Sequence, residues 1–156
     1  MRRDPAIRPL TLVPPPLVYA LALFAAWWLQ ARLPLSLELG AAARPLAVGL
    51  IGFGLAGFAW ALWAIWTHRT TVNPYKAATN LVTGGPFSHS RNPIYVSDWF
   101  VYAGVMLLLK TAWPLLLAPG VYLVMRHWVI AHEETHLAAR FGAEYQEYKS
   151  RVRRWL

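Results

Sequence analysis

The chain has 156 residues, 57% hydrophobic and only 14% charged, with nine tryptophans, no cysteine and a formal net charge of +8. Its length fits one domain, and its apolar composition excludes an ordinary soluble domain of this size, whose surface would need far more charge. The lack of cysteine excludes disulfides, thiolate metal sites and cysteine nucleophiles, and basic residues scattered between apolar runs suit anionic lipid headgroups rather than nucleic acid.

Four apolar stretches predict an all-α integral membrane bundle, with spans at about 10–29, 45–66, 94–109 and 111–131. Pro14, Pro15 and Pro16 place the start of the first helix after them, since proline is tolerated in a first turn. The bulky AAWWLQARLP that follows is a poor cleavage site, so this stretch reads as a span rather than a removed leader. The second and fourth stretches are long enough to cross a bilayer, whereas the third is short and contains Asp98. An ionisable side chain there is costly facing lipid, so Asp98 is expected to face the bundle interior, paired with a group such as Arg91.

Twelve basic residues fall on one side of these spans and only Arg32, Arg44 and Lys110 on the other. The positive-inside rule then puts both termini, the 67–93 loop and the 132–156 tail in the cytoplasm. The short LLLKTAWP connection predicts a tight antiparallel hairpin between the last two spans. In the tail, Leu137, Phe141, Tyr145, Tyr148 and Val152 recur at helical spacing with Arg140, Glu144, Glu147 and Arg151 between them. That pattern predicts an amphipathic helix broken at Gly142.

Two polar clusters need a reason, and the hairpin brings them together. One is TTVNPYKAATNLVTGGPFSHSRNPIY, in which a Gly-Gly-Pro turn leads to His89, Arg91, Asn92 and Tyr95, with Pro93 in the first turn of the next helix. The other is RHWVIAHEETH, which carries the adjacent acids Glu133 and Glu134. Read as residues alone, Arg91 could snorkel to phosphates, the tyrosines could anchor the interface, and both acids could face water. HEETH matches the zinc-protease pattern, with His132 and His136 on one helix face. Its usual third ligand is missing, since Ala139 and Gly142 occupy the positions of the metzincin extension. No metal site is therefore predicted.

Gly85, Pro86, Phe87, Arg91, Asn92, Pro93 and Tyr95, followed after one hairpin by Glu133, Glu134, Leu137, Phe141, Gly142, Tyr145 and Tyr148, resemble a known pattern. They look like the C-terminal half of the isoprenylcysteine carboxyl methyltransferase and phospholipid methyltransferase superfamily, over roughly residues 70–156. Three positions depart from it: Asn92 where the eukaryotic carboxyl methyltransferases have histidine, Ser97 where glycine is frequent, and Asp98.

The resemblance implies a single membrane methyltransferase domain over 1–156 that uses S-adenosylmethionine. The cofactor would bind in a cytoplasm-facing pocket between the last two spans and the tail. Glu133 and Glu134 suit its amino group and ribose hydroxyls. His89, Asn92 and Tyr95 complete a polar wall, and Tyr145 or Tyr148 covers the adenine or sulfonium. Arg91 would hold a carboxylate, and His89, Asp98 or a glutamate would take a proton from an amine acceptor. The acceptor is expected to be an amphiphilic carboxylate, amine or thiol reached through membrane lipids. The rival readings are an intramembrane zinc protease and a lipid-binding scaffold.

Overall fold

A computed structural model describes residues 14–68 and 80–156. The first residues of the predicted first span, and Arg2, Arg3, Arg8, Arg69 and Lys76 from the charge count, lie outside them. Regular structure among the described residues is helical: α1 (Pro15–Arg32), α2 (Ala43–Thr67), a short 3-10 turn (Gly85–Ser88), α3 (Pro93–Leu109), α4 (Trp113–Val124), a π-helical segment (Met125–Ile130), α5 (Ala131–Phe141) and α6 (Ala143–Arg151). Proline opens α1, α3 and α4, where its missing N–H costs nothing. Gly142, at φ 52, breaks α5 from α6 as its sequence position suggested.

Among the described residues, two helices are long and apolar enough to cross a membrane: α2, of 25 residues, and a continuous 29-residue helix, Trp113–Phe141, made of α4, the π segment and α5. α1 has 18 residues and α3 has 17. The last long helix therefore runs ten residues past the predicted boundary at 131, carrying the acids out of the apolar zone without a break in the rod. Most of the large apolar side chains of α2 and α4 point outward, including Leu46, Phe53, Leu55, Trp63, Leu115, Leu116 and Leu123, and Trp66 is 75% exposed. Water would penalise so continuous a patch, whereas lipid is its natural solvent.

Inward, the pattern is reversed, and small residues make the seam. α2 packs chiefly on α3, through buried Ala47, Gly54 and Ala61 on one side and Ser97 and Gly104 on the other. A Cβ added at Gly54 would lie 2.7 Å from both the Ser97 carbonyl oxygen and Val101 Cγ2, and one at Gly104 would lie 2.6 Å from Ile51 Cγ1. Close backbone approach of this kind is how helices associate where no hydrophobic effect drives them. Gly54→Ala should accordingly cost about 1–3 kcal/mol through overpacking. A thermal midpoint in detergent equal to that of the parent would show that the seam has slack.

The turn between α3 and α4 is as tight as predicted, yet α4 packs more on α1 than on α3. A polar knot ties this end of the bundle. Lys110 adopts the left-handed conformation (φ 50), and its carbonyl accepts Leu37 N–H at 2.9 Å. The fully buried Thr111 donates to Gln30 Oε1 at 2.7 Å. Gln30 in turn accepts Leu35 N–H and donates to Ser36. Turn backbone that would be unsatisfied in apolar surroundings is thus paired inside the protein.

Candidate functional site

The opposite end of the bundle gathers the polar residues. Arg91 precedes α3, in the short turn after Gly85–Ser88, and its side chain is 9% exposed. Its Nη1 lies 3.1 Å from Glu134 Oε1, with Glu134 itself 12% exposed. The expected Arg91–Asp98 pair does not form. Helical spacing failed there because Arg91 stands before the N-cap, Asn92, so the α3 periodicity does not extend to it.

A second arginine shares Glu134. Arg154 Nε donates to Oε1 at 2.9 Å and Nη2 to Oε2 at 2.7 Å, a two-pronged charge-assisted pair. These bonds hold the Arg154 guanidinium still more firmly in its charged form. The main chain binds this strap as well: Asn92 Nδ2 donates to Arg154 O at 2.8 Å, and Arg91 N–H donates to Arg153 O at 2.9 Å. Asn92 therefore holds the residues after α6 rather than capping α3. Val152, read as helical from its spacing, is extended, and that change of direction turns the strap back over the site.

Why the two glutamates point inward follows from the π segment. A π turn carries one residue more than the α-helical ladder, so later side chains advance by about 100°. The turn ends immediately before α5, with Met125, Val129 and Ile130 buried. Glu133 then meets Tyr95, whose hydroxyl donates to Oε1 at 2.6 Å. That bond leaves Oε2 for another donor. The Arg91 Nε–H is buried and has no partner.

The two tail tyrosines are core rather than lid. Tyr145 is buried, with its hydroxyl 3.5 Å from Arg91 Nη1, and Tyr148 donates to Phe87 O at 2.7 Å. Burial pushes both phenols above their usual range. They pin α6 to the 3-10 turn. His89 stands apart, exposed, with its ring 6.4 Å from that of Trp60. Asp98 lies deeper in α3, and its Oδ2 has no hydrogen-bond partner. The two histidines of HEETH diverge, His132 exposed and His136 buried, while the acid between them is engaged by Tyr95.

Residue reasoning thus brought together Arg91, Asn92, Tyr95, Glu133 and Glu134 and missed Arg154. Its signal was an apolar–basic alternation, Val152 and Trp155 around Arg153 and Arg154. Trp155 packs against the bundle core and stacks near Tyr122, which draws its neighbour inward.

Comparison with known proteins gives two matches. The family model described as phospholipid methyltransferase matches residues 43–144, from α2 to the start of α6. An uncharacterized protein of Haemophilus influenzae is 42% identical over 59 residues, 33% of this chain and 94% of that protein. No solved structure matches significantly.

Proposed function

The chain belongs to the phospholipid methyltransferase family, and we propose that it transfers a methyl group from S-adenosylmethionine to an amphiphilic acceptor at the membrane interface. The family implies methyl transfer at a membrane; the cofactor and the acceptor are the further step. One observation carries it. In a single buried cluster, Glu133 offers a second carboxylate oxygen beside its bond to Tyr95, and Arg91 offers an unpartnered Nε–H. An acceptor for an ammonium and a donor for a carboxylate suit the two charged ends of an α-amino acid, which is the polar part of this cofactor.

When bound, S-adenosylmethionine would supply an electrophilic methyl group. The protein's part is to orient and to exclude water. Glu133 holds the ammonium, with Tyr95 fixing its other oxygen. Arg91 holds the carboxylate, and Glu134 fixes Arg91. The strap from Val152 to Trp155 covers the cluster, and Tyr148 anchors the turn that carries Phe87. The exposed apolar side chains of α4, Leu115, Leu116 and Leu123, would face the lipid that carries the acceptor.

In this reading all four of the helices α1 to α4 cross the bilayer, α1 and α3 tilted little because they are short. Both termini and the 67–93 loop face the cytoplasm of a bacterial cell, where the soluble cofactor is found.

The test is equilibrium binding of labelled S-adenosylmethionine to detergent-purified protein with a metal chelator present. Saturable binding that Glu133→Gln weakens by about tenfold or more is expected, the scale of a lost charge-assisted bond. Absence of binding in folded protein, or unaltered affinity in the variant, would overturn the assignment.

A further inference from the structure

Below the carboxylate cluster is a second set of polar groups, which the proposed cofactor role does not use. Asp98 lies five residues beyond Pro93, about 8 Å along α3 at the helical rise. Its Oδ2 is buried without a partner. The hydroxyl of Tyr19, from α1, is also buried without a partner, and the residue is 5% exposed. The Tyr19 ring packs on the residues one and four positions beyond Asp98, Trp99 and Tyr102, which brings α1 to this part of α3. Around them stand aromatic rings: Tyr19 meets Trp99 edge-on at 5.4 Å and Tyr102 at 6.1 Å. Tyr102 is not a free partner, since its hydroxyl donates to Pro114 O at 2.8 Å.

A lone carboxyl and a lone hydroxyl buried in an aromatic shell are costly unless something binds them. Arg91 pairs with Glu134 through Nη1, and its remaining Nε–H is the group assigned above to the cofactor carboxylate. Among the described residues, no cation forms an ion pair with Asp98.

We propose that Tyr19 and Asp98 form the head-group site of the methyl acceptor, and that the acceptor is a protic nucleophile, an N–H or S–H group on an apolar chain, rather than a carboxylate. This rests on the methyltransferase reading above. A carboxylate would place a second negative charge beside Asp98 with no arginine free to receive it. An ammonium or thiol instead donates to Asp98 Oδ2, the ammonium donating a second hydrogen bond to the Tyr19 oxygen and the thiol sulfur accepting the Tyr19 O–H, and lies against the faces of Trp99 and Tyr102. The acid–base step is balanced within this pair: the ammonium or thiol gives one proton to the Asp98 carboxylate, leaving a neutral amine or a thiolate and a neutral Asp98 carboxylic acid. Tyr19 is the new element. It lies on α1, outside the residues 43–144 that match the family model.

Only two aspartates occur in the chain, Asp4 and Asp98, so carboxyl-labelled aspartate gives a signal that Asp98→Asn assigns. The labelled protein, in lipid nanodiscs, would be titrated with hexadecylamine, hexadecanethiol and hexadecanoate while its carboxyl carbon is followed by NMR. A saturable shift of the Asp98 signal with the amine or the thiol, absent with hexadecanoate, is expected. Tyr19→Phe, which keeps the ring and its packing, should weaken that response about tenfold, as for a hydrogen bond to a charged group. An equal response to hexadecanoate, no response to either protic probe, or full affinity in Tyr19→Phe would overturn the proposal. S-adenosylmethionine binding measured on the same sample separates the two readings. Cofactor binding without the Asp98 response sinks only this site, whereas an Asp98 response without cofactor binding sinks the methyltransferase and with it the acceptor role, leaving Tyr19 and Asp98 as an amphiphile site.

Discussion

Glu134→Gln is expected to unfold the polar end of the protein as well as to abolish cofactor binding. Glu134 is the only carboxylate that the described structure places against Arg91 and Arg154. Two buried or half-buried guanidinium groups would be left facing one neutral amide. Removing one member of a buried ion pair costs about 3–5 kcal/mol, because the remaining charge stays desolvated. The strap should then detach, exposing Trp155 and freeing Asn92. Glu133→Gln gives the contrast. It removes a charge but leaves both arginines paired, so its stability loss should be near that of one hydrogen bond, about 1 kcal/mol. The measurement is the thermal midpoint of each variant in the same detergent, read beside Trp fluorescence. Equal midpoints for the two variants would show that Glu134 does not carry the ion network.

Deleting Trp128 should be as damaging, for a different reason. Trp128 is exposed and sits in the π segment, so no core contact is lost with it. One residue fewer allows the ladder to close as ordinary α-helix, turning α5 by about 100° relative to α4. Glu133 would leave Tyr95, and Glu134 would leave both arginines. Trp128→Leu, which keeps the residue count, is expected to behave like the parent. The decisive comparison is cofactor affinity: loss in the deletion with retention in the leucine variant. Retention in both would mean that the π geometry does not aim the acids.

Much of this architecture can be read from particular residues, and the failures have physical causes. Prolines 14–16 and 93 mark helix starts because their rings constrain φ and delete a donor. Gly142 marks the break between α5 and α6 because it tolerates positive φ. The HEETH acids and the Arg91–Tyr95 segment were brought together by the short α3–α4 turn. The π segment was not legible, since its hydrogen-bond register is set by packing and the letters MRHWVI carry no period of their own. Arg154 was hidden inside RVRRW, where a basic run after an apolar span reads as lipid contact. Tyr19 was hidden similarly: one tyrosine in an apolar stretch looks like an interfacial anchor until the bundle turns it inward. Asp98 was rightly placed inside the bundle, and its expected partner was wrong only because helical spacing was extended past the N-cap.

The strap has a consequence for how the protein is made. Its residues, Val152 to Trp155, leave the ribosome after α1 to α6, yet they supply the guanidinium of Arg154 and the carbonyls that secure Ser90, Arg91 and Asn92. During translation the helices can form one after another while Glu134 still waits for its second arginine. The polar end is thus assembled only after α1 to α6 have emerged, and a nascent chain stalled before Arg154 would carry its helices without the second partner of Glu134.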